Sequence, residues 1–299
     1  MLIPGTSDEP VQVVSDTRAA SRSLSFDQLF ARGHFPEAAI VAERDLQAAR
    51  EQSVPGGQSL LAALSQVAAA CLRIGDSDRA ESVLNEAIEI CETAPAERAE
   101  SLVRLLHDRA YVKYLYCCTD EESALEVRQE LGQVRARAEK LLGSEHVETA
   151  RIMTTQASLL ISEFAYQEAE ELLTASIRIR TRAFGPEHRD ISDSLLQMAR
   201  VHAYRDDDED ADSAFRQALA IREAACGPNH PDVAEVLFHY ADFLVYNRSN
   251  GSQAELCLRR ALEIWNETIG LDHPLVARET AFIRKVLSGT AVDAADLDN

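Results

Sequence analysis

The chain has 299 residues, of which 46% are hydrophobic and only 6% aromatic, and it carries a formal net charge of −20. That charge excludes a nucleic-acid footprint, which needs a surplus of Lys and Arg against phosphate, and it argues equally against an anionic membrane surface. No apolar run approaches the ~18 residues that a membrane-crossing helix needs, so neither nucleic acid nor membrane is expected as a partner.

Ala, Leu, Glu and Arg dominate, and all four are good helix formers. Alternating runs of Val, Ile and Thr are missing, so an all-α chain is expected. The opening residues lack the basic flank and apolar core of a signal peptide. Six cysteines are scattered without disulfide-framework spacing and read as reduced thiols. Together these predict a cytoplasmic protein.

In chain order, residues 1–22 show no helical period and predict a flexible tail. A short helix from about Ser25 is followed by a turn at Gly33 and a longer helix from Phe35 to Arg50. Pro55, Gly56 and Gly57 break it. Leu60 to Arg73 places Leu61, Leu64, Val67, Ala68 and Cys71 on one stripe. Gly75 ends that helix, Asp76 or Ser77 caps the next, and Pro95 closes the unit. Residues 97–142 predict a longer pair, with a break near Cys117 and a cap at Thr119 or Asp120. The cluster Tyr111, Tyr114 and Tyr116 reads as packing between units.

From Gly143 one phrase is written four times: G-S-E-H at Gly143–His146, G-P-E-H at Gly185–His188, G-P-N-H at Gly227–His230 and G-L-D-H at Gly270–His273. Its glycines recur after 42, 42 and 43 residues. A period of ~20–50 residues is the signature of a stacked repeat array. Aligning Ala169, Ala211 and Ala254 exposes a shared second-helix phrase, with a small residue seven on at Ser176, Ala218 and Ala261. First helices carry Ala157, Ala199 and Ala241 at matching places. A terminal helix over 273–288 fits a cap for the array, and residues 289–299 form an acidic tail.

No catalytic motif competes with the repeats. The four recurring His are one per unit, too far apart to converge on one metal ion, and read as loop residues bonding backbone at helix starts. Their preceding glycines are expected in the left-handed helical conformation. Asp206–Asp210 fails as an EF-hand, since the places that need Gly and Glu hold Ala211 and Gln217. It reads as a turn whose Asp caps the next helix. Cys117–Cys118 read as packing thiols. Neither metal nor cofactor is expected.

Helix pairs with Ala in the first helix, A-E-x-L-x-x-A-L-x-I in the second and G-P-x-H-P-D between them resemble tetratricopeptide repeats. The period is similar to that of the 42-residue repeats of kinesin light chains. The resemblance spans about 143–287 well and 60–94 fairly. It implies a right-handed superhelical solenoid of antiparallel helix pairs, about six with a capping helix. It further implies no enzyme activity and a concave groove, lined by first helices, that binds peptide or protein segments. The heptad coiled coil of true kinesin light chains is missing. Helical phase then turns inward Arg151, Thr154 and Ser158, then Asp193, Leu196, Arg200 and Tyr204, then Glu235, Phe238, Asp242 and Tyr246; the alternative for Leu196 and Phe238 is packing between helices. Groove-lining Asn residues of the relatives are replaced by Thr154, Leu196 and Phe238, so their ligand preferences do not transfer. The expected role is an interaction scaffold or adaptor. The alternative is a peptide-responsive sensor or chaperone that changes curvature on binding.

Overall fold

The structure is a computed structural model that describes residues 24–52, 57–118, 120–246, 251–271, 273 and 276–288. The two expected tails lie outside the described residues, as do Pro55, Gly56 and Thr119. Among the described residues there are thirteen helices and no strand. They are α1 (Phe26–Phe30), α2 (Phe35–Gln52), α3 (Gln58–Ile74), α4 (Ser77–Glu92), α5 (Ala99–Tyr116), α6 (Glu121–Leu142), α7 (Val147–Ser162), α8 (Tyr166–Phe184), α9 (Arg189–Tyr204), α10 (Asp208–Cys226), α11 (Pro231–Tyr246), α12 (Gly251–Thr268) and α13 (Ala277–Leu287). Each helix packs on the next in the sequence, so the chain is an all-α solenoid of helix pairs. None of the described helices is long and apolar enough to cross a membrane.

Small residues set the spacing between helices. Ala157, Ala199 and Ala241 of the first helices are fully buried, as are Ala169, Ala211, Ser176, Ala218 and Ala261 of the second. A larger side chain at any of them would force neighbouring helices apart. The bulky filling comes from Leu173, Phe215 and Leu258, which hold matching places and are likewise buried.

The repeated phrase builds each junction by local hydrogen bonds. Nδ1 of His146 accepts from the Glu148 backbone N–H at 3.2 Å, His188 from Asp190 at 3.3 Å and His230 from Asp232 at 3.2 Å. Each imidazole thus satisfies one of the donors that a helix start leaves open. His273 departs from the pattern, for it meets the backbone of Arg73 and Ile74 far away in the chain. The glycines do have positive φ, but ψ at Gly143, Gly185 and Gly227 is 158–165°. That is an extended conformation reserved for glycine rather than the expected left-handed helical one. It turns the chain outward instead of curling it back. Asp207 stands at the N-cap of α10 without a side-chain cap bond, so the acidic run serves that helix only through its charge near the positive end. The first turn of α6 behaves as expected, with Asp120 and Ser123 bonded reciprocally.

One contact violates the nearest-neighbour rule of a solenoid. The N-terminal units meet the junction before α11. Arg73 forms an ion pair with Asp232, 159 residues away. The Phe35 ring lies 6.1 Å from the His230 ring, and the Arg73 guanidinium stacks on the other partner of that contact, 4.4 Å from the Phe35 centroid. Gly33, with φ +76°, sits so close to Pro231 that an added Cβ would lie 2.8 Å from its Cγ and nearer still to its Cδ. The superhelix therefore closes on itself along a seam.

That seam makes a differential prediction. Gly227 also has positive φ, at +88°, but an added Cβ there meets nothing within 4 Å. Gly227→Ala is expected to lose only the conformational cost, on the order of 1–3 kcal/mol. Gly33→Ala adds a clash against backbone-fixed Pro231 and is expected to lose about 1–3 kcal/mol more. Urea denaturation of the two variants measures the difference; equal losses would show that the seam contributes nothing.

Candidate functional site

Closing the superhelix converts its concave face into an interior space. A cavity of about 560 Å³ is lined from α3, α5 and α7 to α13, with Phe30 and Phe35 at the seam. Its charged lining consists of six arginines (Arg73, Arg151, Arg180, Arg189, Arg200, Arg222) and five acids (Asp108, Asp193, Asp232, Glu235, Glu279). The chain as a whole has 30 basic residues against 50 acidic ones, so arginine is concentrated on the inside.

Most of these charges neutralise one another across unit boundaries. Arg151 Nη2 donates to Asp108 Oδ1 at 2.8 Å, joining α7 to α5. Arg222 reaches from α10 to Asp193 of α9 and donates from Nε to Ser192 Oγ at 2.7 Å. Arg180 on α8 donates to the Asp190 carbonyl and, at 3.0 Å, to Ser194 Oγ. Asp232 is the hub, with Arg73 in contact, Arg189 and Arg222 both at 3.4 Å and His230 Nδ1 at 3.5 Å. Burial opposes its ionisation, yet Arg73, Arg222, His230 and Arg189 together hold its carboxyl well below the usual range. Burial also works against the Arg222 charge, but Asp193 and Asp232 keep that guanidinium firmly protonated. Fixed ion pairs with planar guanidinium partners of this kind set geometry as well as charge.

The eleven residues expected in the groove divide into three groups. Arg151, Asp193, Arg200 and Glu235 present charge to the cavity. Thr154, Ser158, Leu196 and Phe238 stand in its wall but are buried, at 8%, 9%, 1% and 8% exposure. Thr154 shares a hydroxyl cluster with Ser176 and Ser194 at 3.0 Å each, and Ser158 bonds the Thr154 carbonyl. Leu196 fills the core between α9 and its neighbours, and Phe238 packs on Trp265 and Phe282 at 6.0 and 5.9 Å. These four are therefore helix-packing residues. Asp242, Tyr204 and Tyr246 do not line the cavity. Tyr204 and Tyr246 are 52% and 67% exposed, and Tyr204 stacks on Tyr166 at 5.5 Å. They close their helices, eleven residues beyond Asp193 and Glu235, so the rise of ~1.5 Å per residue carries them past the cavity to the turn edge.

Other lining residues escaped the sequence. Arg180 and Arg222 hold matching places in successive second helices, 42 residues apart, a periodic signal that could have found them. Tyr111 and Tyr114 face the cavity, whereas Tyr116 does join units, donating its hydroxyl to the Leu72 carbonyl at 2.8 Å. Arg73 and Asp232 carry no local signal, because their pairing depends on closure. His107 and His239 also line the space, both with pKa lowered by burial; His239, near Arg200, falls to about 3.

Behind the wall, Asp242 has a buried oxygen with no hydrogen bond. Burial pushes its carboxyl up to about 6, with Arg200 and Arg278 pulling the other way. A carboxyl raised in the folded chain favours folding while it is protonated. Its contribution is complete below the unfolded value near ~3.9 and is lost as pH rises through the folded value. Asp242→Asn is accordingly expected to stabilise the protein near neutral pH, by about 3 kcal/mol at most, with the gain fading toward about pH 4. Thermal melts across that range read the effect; a destabilised variant at neutral pH would mean that Arg200 outweighs burial.

Comparison with known proteins fits this architecture. Family models described as "Tetratricopeptide repeat" match residues 155–224 and 243–275. The crystal structure of BtubC (BKLC) from P. vanneervenii superposes with a TM-score of 0.56 at 16% identity, covering 87% of this chain and 94% of that one. A crystal structure of nearly identical TPR-like repeats from Podosopora anserina, in a protein described as a kinesin light chain, gives a TM-score of 0.47 at 21% identity, covering 73% and 99%. No curated protein matches the chain significantly. Repeats of this kind generally form non-enzymatic scaffolds for protein–protein interaction. With α1–α12 paired, α13 packed on the last pair and the unit recurring every 42 residues, the chain has the fold of a helical-repeat solenoid and carries tetratricopeptide repeats over residues 155–224 and 243–275.

Proposed function

We propose that this protein is a non-enzymatic scaffold or adaptor that holds a short peptide or protein segment in its central cavity. The described part of the 23–288 solenoid acts as one unit, with α13 as the capping helix. One observation carries the reading. Concave residues from successive repeats converge on a single space of about 560 Å³, within the range of ~300–1,000 Å³ typical of ligand sites. Polar lining charges stand there beside the rings of Tyr111 and Tyr114. Aromatic and arginine side chains are the commonest anchors of protein interfaces. The occupant is a polypeptide, in keeping with the general use of the repeat, and the setting is cytoplasmic, without cofactor, nucleic acid or membrane.

The seam favours a second reading, a sensor whose curvature responds to its ligand. Arg73, Asp232 and Phe35 line the cavity and also tie the ends of the superhelical turn together. A ligand that touches them biases the closed form over the open one, because binding shifts a conformational equilibrium by its differential affinity.

Affinity capture from the source cell tests the first reading, with Arg200→Glu as the blocked variant. Loss of a partner that the unaltered protein recovers is the expected result, and undiminished recovery would remove the cavity from the interaction. Small-angle scattering with and without that partner tests the second. A sensor is expected to change its radius of gyration on binding, whereas an unchanged profile leaves a rigid scaffold.

A further inference from the structure

Most cavity-facing charges are already matched, which makes the unmatched ones informative. Arg73 and Arg189 meet Asp232, Arg151 meets Asp108, and Arg222 meets both Asp193 and Asp232. Arg180, without a carboxylate in contact, is held by a carbonyl and a hydroxyl. Arg200 differs. Its hydrogen bond is from Nη1 to Gln197 Oε1 at 2.8 Å, within its own helix, and among the described residues it forms no ion pair. Glu235, two helices on, faces the same space without a hydrogen bond or ion pair among the described residues. Its surface is open to the cavity while protein walls surround it, and that burial raises its carboxyl pKa. Arg200 and Glu235 line the same cavity, together with Tyr114 on α5.

We infer that the cavity selects a short peptide carrying one acidic and one basic side chain, the acidic group taken by Arg200 and the basic group by Glu235. This rests on the peptide-binding reading above and specifies its ligand. A purely acidic peptide would find Arg200 but set a second negative charge near Glu235 and Glu279. A purely basic one would satisfy Glu235 and be repelled by Arg200. A neutral one would displace water from both charges and return nothing. Charge-assisted hydrogen bonds are the strong ones, and inside a walled space they are less screened than at the surface. Each match is expected to change affinity about ten-fold or more.

The test is calorimetric titration of the full chain with acetylated, amidated alanine tetrapeptides, so that only side chains carry charge. Four sets are compared: one Glu with one Lys in either order and spacing, two Glu, two Lys, and two Gln. The mixed-charge set is expected to contain a peptide that binds about ten-fold or more tightly than its Gln counterpart. With Glu235→Gln, replacing the peptide's Lys by Gln should no longer matter; with Arg200→Gln, the same should hold for its Glu. Such paired changes read an interaction rather than a fold defect, and thermal melts of both variants check folding separately. Equal binding of all four sets would overturn the charge selection and leave peptide binding in the cavity intact. Binding of none would overturn the peptide reading itself, and this inference with it.

Discussion

One buried carboxylate holds the concave side of this molecule together. Asp232 is only 5% exposed, yet it receives guanidinium groups from α3, α9 and α10 and the imidazole of its own junction. Removing water from such a group is costly, and the attraction of its partners offsets that cost only when all of them are in place. Asp232 therefore specifies more than it stabilises. It is satisfied only when a residue from the second pair comes round to meet the sixth, which fixes how far the superhelix turns. The cavity exists because that turn is complete.

The 42-residue register explains what the cavity contains. Asp108, Arg151, Asp193 and Glu235 occupy matching places on successive first helices, so the row alternates in sign until its last member. Arg151 bonds Asp108 and also feels Asp193. Asp193 is taken by Arg222 from the second helix of its own pair. By Glu235 the nearby arginines, Arg73 and Arg222, are already engaged by Asp232. Glu235 is left over through the arithmetic of the row. A neighbouring row runs Ser158, Arg200, Asp242; there the first member is neutral and the last is withdrawn behind the wall, leaving Arg200 facing inward.

The sequence made the repeat legible because its determinants are local. Glycine, histidine and small residues at fixed spacing specify junctions and helix approach, and those held, down to the imidazole caps at His146, His188 and His230. Of the residues that helical phase turns inward, Arg151, Asp193, Arg200 and Glu235 line the cavity. Phase failed where a second coordinate mattered. Phase gives direction about a helix axis but not position along the cavity, so Tyr204 and Tyr246 point the right way from beyond its edge. Nor does phase distinguish a wall from a lining, which is why packing stayed open for Leu196 and Phe238, both buried in the cavity wall. Glycine signalled a positive φ but not the ψ that sends the chain outward rather than back. The seam was out of reach altogether, since nothing near Gly33 or Arg73 announces a partner 159 or more residues away.

Charge distribution connects these findings to function. A net charge of −20 keeps the outer surface hydrated and discourages self-association, but it also makes any additional buried negative charge harder to maintain. Glu235, raised by burial and flanked by Asp232 and Asp193, is under that pressure. It can relieve the pressure by taking a proton, or a ligand can relieve it by bringing a cation. Arg200 is bonded to Gln197 and forms no ion pair among the described residues, though the Asp242 carboxyl behind the wall feels its charge. Arg200 thus offers a place to an anionic group and Glu235 one to a cation. An occupant that supplies both satisfies the interior without disturbing Asp232, and so leaves the closed turn of the superhelix in place.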